Sequence, residues 1–425
     1  MNKNTNILPE TKINGNKYTD NQAVKDSKSD DQKGSFNKFV AIRKYVTEKY
    51  DIRLNNVACD YEYSLKGLNQ WKELIIDDLV CELLEYGFKG LKDTLNPFIS
   101  SSNIPRYDPI AYYFDTLPKW EETEPDYIQQ LAKYVETSDN AFFQHQFKMM
   151  LVRVVAQAIG HIAFNKHCFT LYGKQNDGKT SFLRFLCPPS LQHYIKDGID
   201  FNGNSKDAKR ALAENLFINL DELAQLGKAD MNTVKDFMTT SQVKLRIPYD
   251  KKDAVMRRRA SFVGSTNKQE ILTDETGNVR WLVFEIKSIN HDKGGPGGYA
   301  ANVDIDKVWS QAVTLLKSGY RYILSEDEIK YSERNNQQYS YQSDEMALIL
   351  KYFDRSTPEK GRFLTATDIM FELIEKTGSR VRLNSINIGR ACNALKFDKV
   401  KGGTSRNAVY GYYLEDHIAM EPASL

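Results

Sequence analysis

The chain lacks any cysteine arrangement that could staple a fold. Its five cysteines (Cys59, Cys81, Cys168, Cys187 and Cys392) are scattered, odd in number and never spaced as CxxC. That excludes a disulfide frame or a zinc ribbon and suits buried thiols in a reducing compartment. No run of about 18 or more apolar residues occurs, so no membrane span is expected. No apolar segment lies near the start, so nothing points to secretion, and a cytoplasmic protein is expected. Net charge is also missing: 58 Lys plus Arg against 56 Asp plus Glu leave +2. Without a global basic footprint, any contact with nucleic acid has to come from local clusters. No internal repeat is visible. The rest of the composition is ordinary. The 425 residues are 41% hydrophobic and 27% charged, as in a soluble globular protein of about two to four domains.

Patterning divides the chain. Residues 1–34 are nearly all polar and read as a disordered tail, because they cannot bury enough apolar surface to offset ordering entropy. Residues 35–104 hold two amphipathic stretches, "FNKFVAIRKYVTEKY" and "WKELIIDDLVCELLEYGF", around a short β-type run. They predict a small α-rich or winged-helix-like domain. From 105 to 325 runs an α/β domain. It opens with helical patterns, of which "HQFKMMLVRVVAQAIGHIAF" is apolar on more than one face and so predicts a buried helix. Within it "HDKGGPGGYAA" reads as a mobile loop, and "DIDKVWSQAVTLLKSGY" reads as a helix ending at Gly319. Residues 326–342 read as a linker, and 343–425 as a second small domain.

The α/β segment carries the chemistry. In "LYGKQNDGKTSFLRFL" an apolar strand enters a loop with two glycines and an apolar helix leaves it. The pattern at Gly173, Lys174, Gln175, Asn176, Asp177, Gly178, Lys179, Thr180 and Ser181 suits a triphosphate. Backbone N–H groups surround the phosphates, Lys179 reaches the β and γ phosphates, and the Thr180 hydroxyl holds Mg²⁺. ATP and Mg²⁺ are therefore the expected ligands. A phosphate loop calls for a second apolar strand ending on a carboxylate. "NLFINLDEL" supplies it with Asp221, for the metal, and Glu222, for activating water. A surface turn after an apolar strand can end on the same pair.

Further polar residues close the remaining strands. "RRASFVGSTN" ends on Asn267, a candidate for holding the lytic water against the γ phosphate. Arg280 leads the run "RWLVFEI" and is either a solvated charge or, in a ring, a finger reaching a neighbour's nucleotide. Between the second and third strands lies "KLRIPYDKKDAVMRRR". It reads as a hairpin with Lys251 and Lys252 at its tip and Arg257, Arg258 and Arg259 behind. These five are the candidate DNA contacts.

Taken in order, "YDPIAYYFDTLPKW", "LYGKQNDGKTSFLRFL", "NLFINLDEL", "RIPYDKK" and "RRRASFVGSTNKQEILTDETGNVRW" resemble the virulence-associated protein E family. Those proteins are helicase-like P-loop ATPases of mobile elements, similar to superfamily 3 helicases. The resemblance covers about residues 105–320. It implies an AAA+-like α/β core, a hexameric ring, ATP hydrolysis and 3′-to-5′ movement on single-stranded or forked DNA. It puts Lys179 and Thr180 in the Walker A role and Asp221 and Glu222 in Walker B. Asn267 becomes the sensor, Arg280 the arginine finger, and Lys251–Lys252 the DNA-touching hairpin. Departures are Asn176, where relatives commonly carry glycine, and Val279–Arg280, where paired arginines are usual. The short N-terminal region also shows no acidic cluster for a primase, so a primase or replication initiator would be a separate partner. In the last domain "ATDIMFELIEKTG", "SINIGRACNALKF" and "DKVKGGTSRNAVYGYYL" give helix, helix, wing, the winged-helix order. Arg390, Lys396, Lys399, Lys401 and Arg406 there are possible phosphate contacts, and protein docking is the alternative use. The rivals to a replicative helicase are a P-loop ATPase that senses or remodels DNA without unwinding, and an interaction protein whose nucleotide only fixes an oligomer.

Overall fold

The computed structural model describes residues 31–199, 206–221, 223, 228–246, 253–269, 272, 278–339, 343–378, 382–402 and 409–417. Most of the expected N-terminal tail, Glu222, Lys251, Lys252 and Arg406 lie outside them. The chain forms two compact units, one of residues 31–54 and 61–105, the other of 55–60 and 106–417.

The first unit begins with helix Asp31–Lys49, starting inside the stretch expected to be tail. Strands Tyr50–Asn55, Asp60–Leu65 and Lys72–Glu73 follow, then helices Ile76–Glu85 and Lys92–Ile99. Apolar residues at helical spacing meet in one core: Ile42 and Val46 from the first helix, Leu79 and Leu83 from the second, Leu95 and Ile99 from the third. The strands precede the last two helices, so the winged-helix alternative for this segment is corrected: the order is helix, strands, helix, helix.

The second unit is built on a six-stranded sheet whose strands we number in chain order. They are β1 (Val135–Thr137), β2 (Cys168–Tyr172), β3 (Ile195–Asp197), β4 (Phe217–Leu220), β5 (Ser261–Thr266) and β6 (Trp281–Ile289). Their spatial order is β1-β6-β2-β5-β4-β3. All neighbours run parallel except β1, which is antiparallel to β6. Helices cover a parallel sheet on both faces, so its strands are continuous apolar runs, not alternating ones. Every residue of β4 and β5 is buried accordingly.

Helix Asn140–Ile159 is the buried helix that its all-round apolar pattern predicted. Asp139 caps it by accepting the Phe142 N–H at 3.0 Å, and Gly160 ends it at φ +81°. Its Phe143 packs tilted on Phe169 of β2 and edge-on to Phe284 of β6, and its Phe147 packs tilted on Phe169. Each such fully buried ring contributes about 1.5–3 kcal/mol.

Two expectations are corrected here. Residues 326–339 are not a linker: helix Glu326–Asn336 and the turn after it pack on the sheet. Ser325 and Glu328 form a capping box at its start. Its sequence is polar nearly all round because it docks through amides. Asn336 Nδ2 donates to the Trp281 carbonyl at 2.7 Å, and Asn335 Nδ2 to that of Val283 at 2.8 Å. These carbonyls lie on the part of β6 that β1 does not pair, so the amides protect an open strand edge. The glycine-rich segment after β6, expected to be mobile, is tied down. Asp292 Oδ2 accepts the Gly297 N–H at 2.8 Å, and Asn302 Nδ2 donates to the carbonyls of Pro296 and Gly298. The glycines serve close approach, since a Cβ on Gly298 would stand 2.4 Å from the His291 carbonyl oxygen.

Strands Gln242–Arg246 and Asp253–Arg257 pair antiparallel as the expected hairpin, its tip outside the described residues. The last part of the chain has its own apolar core. Its order is helix Asp344–Tyr352, strands Phe353–Arg355 and Arg362–Leu364, helices Ala366–Thr377 and Ser385–Ala394, then strands Val400–Gly402 and Val409–Asp416. No described helix is long and apolar enough to cross a membrane.

Candidate functional site

The expected phosphate-loop residues join the C-terminal end of β2 to helix Lys179–Phe185. Gly173 is buried at the strand end, where its N–H donates to the Thr266 carbonyl of β5 at 3.2 Å. Lys174, Gln175 and Asn176 are exposed, and Asp177 and Gly178 are half-buried. Two residues turn the loop through left-handed backbone, Asn176 at φ +67° and Gly178 at φ +80°. Apart from glycine, asparagine is among the residues best tolerated there. The departure at Asn176 from the glycine usual in relatives is therefore a conservative one. Lys179 is buried, and its ammonium donates to the carbonyls of Gly173, at 3.0 Å, and Lys174. Burial lowers its pKa, opposed by the charges of Asp177 and Asp221. Thr180 and Ser181 open the helix at the surface.

Asp221 stands exposed at the C-terminal end of β4. Its Oδ1 accepts from Thr180 Oγ1 at 3.2 Å and from Ser265 Oγ of β5 at 2.6 Å, and the two hydroxyl oxygens lie 3.1 Å apart. Three elements thus bring a hydroxyl, a carboxylate and a second hydroxyl together beside the loop. Ser265 lies outside the site residues that the motifs point to. The available signal was a small hydroxyl at the end of an otherwise apolar strand. Asn267, the candidate for holding the lytic water, lies exposed just beyond the strand, and among the described contacts it is Ser265 that meets Asp221.

Arg280 is half-buried in a short 3₁₀ turn that leads into β6. The register pairs Trp281 with Cys168 and Glu285 with Tyr172. Arg280 therefore lies at the opposite end of the parallel strands from the loop. At about 3.3 Å per residue it is roughly 20 Å from Gly173 along the strands. Within one chain the two do not meet.

The arginines expected to touch DNA are corrected by their partners. Arg258 is 1% exposed. Its Nε donates to the Ala260 carbonyl at 2.9 Å, Nη1 to those of Phe237 at 2.8 Å and Met238 at 2.7 Å, and Nη2 to that of Asn165 at 2.9 Å. Four of the five guanidinium N–H groups donate to interior carbonyls, and the burial of the side chain keeps it from a phosphate. Arg259 is buried and donates to Asp108 Oδ2 at 2.6 Å. Arg257 is half-buried, 3.5 Å from the same carboxylate, and its guanidinium lies on Gly160, where a Cβ would stand 2.0 Å from Nη1. These three root the hairpin in the domain. Among the described residues no group of three or more His, Cys, Asp or Glu side chains is placed to hold a metal.

A family model, that of the virulence-associated protein E-like domain, matches residues 115–341, more than half of the chain. No curated protein matches the chain. Among solved structures it is similar to the apo C-terminal region of NrS-1, with a TM-score of 0.49 and 12% identity over 89% of this chain and 99% of that one. It is likewise similar to the A form of that apo region, with a TM-score of 0.47, 12% identity and the same coverage.

Proposed function

The chain belongs to the family of the virulence-associated protein E-like domain, and we propose that it is an ATP-hydrolysing motor. It forms a ring on DNA and serves replication of a phage, plasmid or integrative element. The observation that carries this reading is the meeting of Thr180, Ser265 and Asp221 beside the loop 173–178. Loop N–H groups cradle the phosphates, and Lys179 exchanges the carbonyls of Gly173 and Lys174 for phosphate oxygens. The hard oxygen donors Thr180 and Asp221 suit Mg²⁺, which takes few protein ligands and keeps its waters. When bound there, the ion neutralises charge on the β and γ phosphates. Ser265 holds the Asp221 carboxylate in position, and Glu222 takes the proton of the attacking water.

Arg280 sits too far from its own loop to serve it, which supports action on a neighbouring subunit's nucleotide and hence a head-to-tail ring. The AAA+-like reading of the core rests on the same site, and that of a winged helix on the element order of the last 80 or so residues. The hairpin lysines Lys251 and Lys252 remain the DNA contacts, now without help from Arg258 and Arg259. The test compares ATP turnover with and without single-stranded DNA in wild type and Lys251→Ala/Lys252→Ala. Wild type is expected to be stimulated by DNA. The double variant should keep its basal rate within about twofold and lose the stimulation, since phosphate contacts supply the sequence-independent affinity. Equal turnover of wild type with and without DNA would refute the motor.

A further inference from the structure

The phosphate loop has two flanks. On one, β5 and β4 bring Ser265 and Asp221 to Thr180. On the other, β6 runs beside β2, and a Cβ on Gly173 would stand 3.0 Å from the Ile286 carbonyl oxygen. The chain leaving β6 then turns back over the loop. A Cβ on Gly178 would stand 2.7 Å from His291 Cδ2 and 3.3 Å from His291 Nε2. The half-buried imidazole therefore lies directly against the glycine that ends the loop.

Its orientation is set. His291 Nδ1 accepts the Lys293 backbone N–H at 3.0 Å. With Nδ1 an acceptor, the proton of the neutral ring is on Nε2, the nitrogen beside the loop. Three consecutive residues, Asp292, Lys293 and Gly294, take left-handed backbone to make that turn, at φ +43°, +48° and +85°. A lysine and an aspartate held this way cost of order 1–3 kcal/mol each. The hydrogen bonds that Asp292 and Asn302 make to the glycine-rich segment hold the turn in place.

We infer that His291 is a nucleotide contact, donating its Nε2 proton to a ribose oxygen at the nucleoside end of the bound molecule. The inference rests on the phosphate-loop reading above. A triphosphate lying along the loop with its γ end at Thr180 and Asp221 directs its nucleoside end towards the β6 flank, where His291 stands. The glycine-rich segment 294–298 is then the frame that aims the ring, and its glycines are there for close packing.

Two substitutions separate the ring's donor from its part in the turn. Asparagine at 291 offers an oxygen where Nδ1 accepts but has nothing at Nε2. Glutamine places an amide N–H near Nε2 and gives up the turn contact. Calorimetric titration of the full chain uses ADP and inorganic tripolyphosphate as ligands. His291→Asn is expected to weaken ADP about tenfold, the factor carried by one lost hydrogen bond, with tripolyphosphate within about twofold of wild type. His291→Gln is expected to bind both within about twofold of wild type. Unchanged ADP affinity in His291→Asn, or equal loss for both ligands, overturns the assignment. Lys179→Ala tests the underlying reading separately and should lose both ligands. If wild type binds neither, the nucleotide site itself falls and the His291 contact with it.

Discussion

Lys179→Ala is expected to cut ATP turnover at least about hundredfold, with and without DNA, the scale at which losing one preorganised charge-stabilising group acts. The structure also says what this substitution should leave intact. Lys179 is buried at 8% exposure, and the bonds its ammonium makes are to the loop carbonyls of Gly173 and Lys174. Its lowered pKa, caused first by burial, means that the folded chain holds this charge at some cost. Removing it therefore relieves desolvation while losing two hydrogen bonds. The urea midpoint should move little as turnover collapses. Phosphate release and urea unfolding on the same preparation check this, and a variant that turns over normally would remove Lys179 from the chemistry.

Arg258→Ala should do the reverse. The guanidinium serves four backbone carbonyls drawn from three places: the end of helix Lys228–Thr239, the segment before β2, and the start of β5. It also lies over the Phe262 ring, 5.0 Å from its centre. Truncation removes one donor from each of those carbonyls, of which Phe237 keeps the Thr240 N–H at 3.2 Å, and opens a cavity the size of the side chain. The expected loss is about 3–5 kcal/mol, a large part of a typical domain's 5–15 kcal/mol. Arg258→Lys should recover little of it, because one ammonium cannot reproduce a planar fork aimed at four oxygens. Urea unfolding of the two variants checks the magnitude. If Arg258→Ala is as stable as wild type and is impaired only in DNA stimulation, the residue is a nucleic-acid contact after all.

The contrast between these arginines and the lysine shows what could be read in the chain. The strand–loop–helix at 168–185 and the strand ending at Asp221 were legible, because buried parallel strands leave unbroken apolar runs and the loop needs glycines at fixed places. The buried helix 140–159 was legible for the same reason. The triple arginine misled, since charge alone suggests an exposed basic patch. Yet successive side chains of an extended segment point to opposite sides. Arg257 and Arg259 turn together towards Asp108 and Arg258 turns the other way into the core, a split that the period of two contains. Helix Glu326–Asn336 was hidden because it docks through asparagine amides, which leave no apolar stripe. Ser265 was hidden because its value lies in a partner 44 residues away in the chain, Asp221, brought close by the sheet order. The role proposed for Arg280 would depend on an assembled ring, which periodicity within one chain does not encode.

The central claim is that one subunit's loop holds ATP while its neighbour's Arg280 completes the site. Complementation tests it most directly, with phosphate release measured for Lys179→Ala, for Arg280→Ala, and for the two mixed in equal amounts. Each variant alone should be inactive, and the mixture should regain turnover, because an interface pairing the intact loop of one with the intact arginine of the other is whole. A mixture as inactive as its components, or an Arg280→Ala chain that hydrolyses ATP like wild type, would contradict the account.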